Sequence, residues 1–330
     1  MNILVMKFGG TSLADPEKIQ RAAARVARAR RQGFAVASVV SAPGQVTDEL
    51  LSLARRVARR APARELDALM AAGEQISIAL LASALLGRGV PAASLTGVQA
   101  GVRARGPHGA ADIAGVRPAR VLKELARGRA AVVAGFQGVN GKGDVVTLGR
   151  GGSDLTAAAL AAALKAKACE IYTDVKGVYT ADPRLVPQAR KIGKISFYEM
   201  LALAEAGAQV MQPRSISYAQ SRGVRLHVRS AFHDAEGTWI GADAAGKGGV
   251  KALAVSRLGS RARVSAVGRG LRPKDAESMR EVLRACGIAC RGVEFSAFRA
   301  SCEVDAREAV PALRALHKAW SLGRREASSG

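Results

Sequence analysis

Three short stretches of the chain set charged or hydroxyl side chains beside glycines. "KFGGTS" places Lys7 against the paired Gly9 and Gly10, "SAPGQVTDEL" offers Ser41 and Thr47, and "LGRGGSDLTAAALAAAL" carries Arg150, Ser153 and Asp154 among Gly149, Gly151 and Gly152. Glycines let backbone N–H groups come close to an anion. A lysine supplies a point charge to a transferring phosphoryl group, and Gly-rich turns ahead of helices often cradle phosphates. A phosphate cradle has no use for Asp154, however. A fourth stretch, "LMAAGEQIS", puts Glu74 on an otherwise apolar helix. A carboxylate there is costly unless paired, and a substrate ammonium would suit it. A fifth, "YTDVKGVYTADPR", supplies Thr173, Asp174, Tyr179, Asp182 and Arg184. Its tyrosine can pack on a purine, its arginine can hold phosphates, and its Asp-Pro pair marks a turn. Structural roles compete with these. Lys7 and its glycines also suit a plain strand end, and Thr47 suits a helix N-cap, with Asp48 and Glu49 favoured at the positive helix end.

The elements that must carry these residues follow from periodicity. Residues 2–6, 34–42, 130–136, 169–175 and 224–232 read as strands. Residues 16–32, 49–60, 64–86, 155–164 and 196–208 read as helices. Strands and helices alternate, and the strands are continuously apolar. That pattern predicts an α/β fold, an αβα sandwich on a mainly parallel sheet. Ligands of such sheets sit where strands end and helices begin, so the loops at 7–12, 41–47 and 149–154 should share one site. A Gly-rich linker is expected at 241–249. Beyond it, strands at 262–268, 288–295 and 297–305 and helices at 273–287 and 306–320 give a βαββα order. That order predicts a small α+β module with its helices on one face.

Composition narrows the class. The chain has 330 residues, 48% of them hydrophobic but only 4% aromatic, so its core must be mostly Ala, Val, Leu and Ile. No apolar run is expected to span a bilayer. The N-terminus enters a strand pattern without a basic region or cleavage site, which predicts no signal peptide, no membrane association and a cytoplasmic protein. The formal charge of +23 raises the question of nucleic acid. The arginines instead alternate with alanines as solvated helix faces, and no aromatics are interleaved to stack bases. No nucleic-acid partner is expected. Cys169, Cys286, Cys290 and Cys302 form no Cys-x-x-Cys set and the four histidines show no ligand spacing around them, so buried reduced thiols and no metal site are expected.

Taken together and in order, "MKFGGTSLAD", "SAPGQVTDELL", "AGEQIS", "VAGFQGVN", "LGRGGSDLTAAALAAAL" and "EIYTDVKGVYTADPRLVPQARKI" resemble aspartate kinase, a member of the amino-acid kinase fold. The resemblance implies transfer of phosphate from MgATP to the side-chain carboxylate of L-aspartate, a step in amino-acid biosynthesis toward lysine and threonine. It implies that Lys7, Phe8, Gly9 and Gly10 face the nucleotide's phosphates, with Thr173, Asp174, Tyr179, Asp182, Arg184 and Gln209 lining the rest of the ATP site. Ser41, Thr47, Gly151, Gly152 and Ser153 would hold the aspartate, Arg150 would grip its α-carboxylate as a fork, and Glu74 and Asp154 would bind its α-ammonium. Lys7 and Asp154 would be catalytic. Magnesium would be held mainly through phosphate oxygens.

Two departures stand out. The family usually carries a lysine in the glycine-rich stretch before the last kinase strand; here that stretch is "AGAQVMQPRS", and Gln209 stands in its place, with Arg214 nearby. The family also normally ends in two ACT modules. Here residues 1–245 are expected to form the kinase domain, and residues 246–330 have room for a single ACT-like module, with "RVSAVGRGL" and the stretch from "VEFSAFRAS" onward resembling the second. ACT modules pair through their sheets, so a homodimer or higher oligomer is expected, with weak or no inhibition by lysine or threonine. The alternative is a catalytically weakened kinase-like regulatory or assembly subunit. A related kinase acting on glutamate is a third reading, against which the complete "GRGGSD" and "VTDEL" stretches argue.

Overall fold

The computed structural model describes residues 1–242 and 248–323. The expected linker at 241–249 falls partly, and the 245/246 boundary wholly, outside the described residues. In chain order the elements are β1 (Ile3–Phe8), a 3-10 turn (Gly10–Leu13), α1 (Pro16–Arg31), β2 (Ala35–Val40), α2 (Val46–Val57), α3 (Ala63–Leu86), β3 (Ala92–Leu95), β4 (Val102–Arg105) and β5 (Asp112–Val116). They continue with α4 (Ala119–Ala126), β6 (Ala130–Ala134), β7 (Gln137–Val139), β8 (Val145–Thr147), α5 (Gly152–Ala163), β9 (Ala168–Thr173), β10 (Lys194–Ile195), α6 (Phe197–Glu205) and α7 (Pro213–Ser221). Last come β11 (Leu226–Ser230), β12 (Thr238–Ile240), β13 (Gly249–Leu258), β14 (Arg261–Arg269), α8 (Pro273–Ala285), β15 (Arg291–Phe295), β16 (Arg299–Asp305) and α9 (Ala309–Ala319). The chain divides into two compact units, Met1–Lys176 with Ser217–Gly237, and Gly177–Ile216 with Thr238–Gly330.

The first unit is built on parallel strands in the order β11-β9-β1-β2-β6-β3. Successive residues of a strand point to opposite faces. Because β1, β2 and β6 are buried nearly throughout, both faces of this sheet are covered, as the continuous apolar runs predict. α5 packs on β1, β2 and β9, while α1 and α3 pack on each other and on the strands. A small second sheet, β5-β4-β7-β8, stands beside it; its strands are too short for a periodic signal and were not foreseen. α3 corrects one expectation. By length and composition it could cross a membrane. In this fold it is a core helix whose Asp67 and Glu74 are buried, with Asp67 accepting from the Gly109 amide and the Thr147 hydroxyl and meeting His108 Nδ1 at 2.8 Å.

The second unit contains the antiparallel sheet β13-β14-β16-β15. α8 and α9 bury Met279, Leu283, Leu313 and Leu316 against its inward-facing Leu253, Val264, Cys302 and Val304. The order is therefore ββαββα: β13, "VKALAVSRL", precedes the strand from which the module was expected to start. Ala181 and Val186 join the same core. α6 is tied to β13 by Glu199, which completes a capping box with Ser196 and pairs with Lys251 Nζ at 3.0 Å. Both tryptophans of the chain, Trp239 on β12 and Trp320 at the end of α9, belong to this unit. The thiols are free, but only Cys169 and Cys302 are buried. Cys286, at the end of α8, is exposed and Cys290 is half-buried, contrary to the expectation of four buried thiols.

Candidate active site

β1 runs between β2 and β9, with Lys7 level with Val39 and Ile171. Its end is stitched to its neighbours: the Gly9 amide donates to Tyr172 O, the Ser41 amide to Phe8 O, and the Gly44 amide to Gly10 O. Gly10 has no room for a side chain, since a Cβ would stand 2.7 Å from Ala42 O. Phe8 turns its ring into the core and stacks on Tyr172 at 4.9 Å between centroids. At the strand end it therefore contributes backbone rather than side chain.

The turn after β8 delivers the second set of charges. Gly149 and Gly151 have φ of +69° and +75°, a left-handed conformation that glycine adopts without strain. α5 begins at Gly152, and its N-cap, Gly151, supplies no side-chain cap. The Gly152 amide turns back to Gly149 O at 3.0 Å, and the amides that follow it at the start of a helix have no intrahelical partner, which suits an anionic group. Asp154 sits in that first turn, where the helix dipole favours a negative charge. It also forms an ion pair with Lys7, Nζ to Oδ1 2.7 Å, both side chains being largely buried.

Glu74 comes from α3. The preceding Gly73 lets the helix approach the loop after β2, because a Cβ there would meet Ala42 Cβ at 2.8 Å. Glu74 Oε1 accepts from the Ala42 amide at 2.9 Å, and Oε2 is buried with no hydrogen-bond partner. Burial pushes the carboxyl up to about 7, only partly opposed by the Ala42 amide. A buried carboxylate with one satisfied oxygen is a site that a cation would stabilise.

These groups converge on one cavity of about 320 Å³. It is lined by Lys7, Gly10, Ser41, Ala42, Gly44, Thr47, Glu74, Phe136, Gly149, Arg150, Gly151, Gly152, Ser153 and Asp154. The three Gly-rich loops do share a site. Thr47 is not the N-cap of α2, which is Gln45; Thr47 lies one residue inside the helix and faces the cavity. Phe136 is a lining residue that sequence reasoning missed. It has φ +64°, rare for a bulky side chain, and the only hint was its place between glycines in "AGFQG".

The remaining expected residues lie elsewhere. Thr173 and Asp174 close β9, with the threonine hydroxyl donating to its neighbour's carboxylate at 3.0 Å, and neither lines this cavity. Tyr179, Asp182, Arg184 and Gln209 belong to the second unit. There Tyr179 bridges to Lys191, and the Arg184 guanidinium forks onto Asp182, holding that carboxyl below its ordinary range. Gln209 is exposed in the turn after α6.

The geometry so far describes a small, doubly charged cavity at strand ends of an α/β sheet. Comparison with known proteins gives it a lineage. The sequence model of the amino acid kinase family matches residues 2–230. The chain is 50% identical over 240 residues to the aspartokinase of Thermus thermophilus, a match covering 73% of this chain and 59% of that protein. It is 51% identical over 241 residues to that of Mycolicibacterium smegmatis, covering 73% and 57%. The chain thus spans under two thirds of the length of these curated relatives. Aspartate kinase from Synechocystis superposes with a TM-score of 0.66 at 31% identity, covering 99% of this chain and 71% of that one. Escherichia coli aspartokinase III, solved with aspartate and ADP, shares the fold at 23% identity with a TM-score of 0.83, covering 96% and 99%. On the family match and these relatives, the chain belongs to the amino acid kinase family, with aspartate kinases as its kin.

Proposed function

We propose that this protein is an aspartate kinase, a cytoplasmic enzyme of amino-acid biosynthesis that converts L-aspartate and MgATP to 4-phospho-L-aspartate and ADP. The observation that carries this reading is one cavity bearing two kinds of charge. Arg150 stands there with buried Glu74 and half-buried Asp154, beside a lysine at a Gly-rich strand end. An amino acid needs a cation for its α-carboxylate and carboxylates for its α-ammonium, and a neutral or purely anionic ligand would leave Glu74 unpaired.

In this reading Arg150 forks onto the α-carboxylate. Glu74 and Asp154 receive the ammonium, and Ser41, Thr47 and Ser153 donate to the remaining oxygens. A side-chain carboxylate oxygen of aspartate attacks the γ-phosphorus, and the bond to the bridging oxygen breaks so that ADP leaves. The nucleophile is already anionic, so no general base has to remove a proton. Catalysis rests on positioning and charge neutralisation. Lys7, steadied by Asp154, neutralises the phosphoryl group in transfer. Phe8, Gly9 and Gly10 with Thr173, Asp174, Tyr179, Asp182, Arg184 and Gln209 serve the nucleotide, as the family resemblance implies. Magnesium would arrive with ATP, held mainly by phosphate oxygens. We further take residues 1–245 as the catalytic domain and 246–330 as one ACT-like module through which the protein dimerises or assembles further.

The test uses purified protein with MgATP, L-aspartate and hydroxylamine. The expected product is aspartyl hydroxamate. Aspartate binding with no hydroxamate would instead fit a regulatory subunit, the reading that the uncharged Gln209 favours.

A further inference from the structure

We propose that Thr156, which does not line the cavity, is a positioning residue that sets the Arg150–Asp154 turn for aspartate. The inference rests on the aspartate reading above and concerns what holds that turn still. The turn is tied at both ends to one residue, Phe136. At its start, the Leu148 amide donates to Phe136 O at 2.9 Å. At its end, the Phe136 amide donates to Thr156 Oγ1 at 3.2 Å, and the same hydroxyl donates to Gly152 O at 2.8 Å. Thr156 is fully buried.

A hydroxyl is needed here because it must accept and donate at once. A threonine inside a helix ordinarily points to solvent or bonds back to the carbonyl four residues earlier. Here its other lone pair takes the amide of a residue held at φ +64°. A phenylalanine with positive φ persists only where its surroundings over-determine it. Packing supplies part of that constraint: a Cβ on Gly152 would stand 2.9 Å from Phe136 Cδ2, and one on Gly135 would stand 2.8 Å from Ser153 Cβ. The Thr156 hydroxyl supplies the polar part. Without it, the Phe136 amide is orphaned, its backbone is drawn back toward negative φ, and both ends of the turn lose their common anchor. Arg150 and Asp154 are then no longer held at a fixed spacing.

Thr156→Val keeps the shape and removes both hydrogen bonds; Thr156→Ser keeps them. For Thr156→Val the KM for aspartate should rise about tenfold, the cost expected of an orphaned buried donor, with the KM for ATP unchanged. Amide hydrogen exchange at residues 149–153 should quicken while that of β1 and β2 does not. Thr156→Ser should restore both. A folded Thr156→Val protein with wild-type aspartate KM and wild-type exchange in the turn overturns the proposal, even if its melting temperature falls. Should the valine variant not fold, Thr156→Ala is read in the same way. If the wild type forms no aspartyl hydroxamate, the kinase reading falls, and the exchange measurement still decides whether Thr156 anchors the turn.

Discussion

At the scale of single residues, Glu74 makes the most exposed prediction. Its carboxyl is pushed up to about 7 by burial, and a substrate ammonium selects the ionised form. Aspartate affinity should therefore climb with pH through that region, by roughly tenfold between about pH 6 and about pH 8; a flat profile in calorimetric titrations would remove Glu74 from the ammonium role. Stability runs the other way. The folded protein keeps this proton above 4.5, where an unfolded glutamate has released it, so stability falls as pH rises from about 4.5 to about 7. The loss is on the order of 3 kcal/mol, and urea unfolding of Glu74→Gln across this window should lack the slope. Arg150→Ala should raise the aspartate KM roughly ten- to a hundredfold, the range for a charged hydrogen bond, whereas Lys7→Ala should lower kcat more than it weakens binding. Gln209→Lys should speed turnover if the missing charge limits the rate. The charged and glycine residues of the cavity were legible in the sequence because turn chemistry is local. Phe136 was not, since the sign of its φ is imposed by tertiary packing around it.

At the scale of elements, the central strands were legible as short runs apolar on both faces. β3 to β5, β7 and β8 escaped because a few residues carry no period. The start of α2 was misjudged for a different reason. Threonine is a good N-cap, but the loop after β2 must bring the Gly44 amide to Gly10 O, and so the helix begins earlier and turns Thr47 to the cavity. The opening of α5 is the element most sensitive to volume. In Gly152→Ala the new methyl carbon would meet Leu148 Cβ and Phe136 Cδ2 at 2.9 Å each. Overpacking of this kind costs about 1–3 kcal/mol. Denaturant unfolding should show that loss, and the displaced turn should raise the aspartate KM with it.

At the scale of the whole molecule, the formal charge is +23. Some of it is absorbed locally, as where Arg120 and Arg129 flank buried Glu124. The C-terminal module was legible from Ala262 onward, but β13 was not read as a strand. Its antiparallel pairing with β14 became visible only in three dimensions. In aspartate kinases the effector site usually needs two such modules. On the proposed reading, with one ββαββα module among the described residues, lysine and threonine at cellular concentrations should inhibit weakly or not at all, and strong inhibition by either in the hydroxamate assay would reverse that view. The position of the two tryptophans has an optical consequence. Trp239 and Trp320 both lie in the second unit, whereas every residue lining the cavity lies in the first. No tryptophan lines the cavity, so intrinsic tryptophan emission reports from the second unit. A shift in its colour on adding aspartate alone would show, without a label, that binding has altered the surroundings of Trp239 or Trp320.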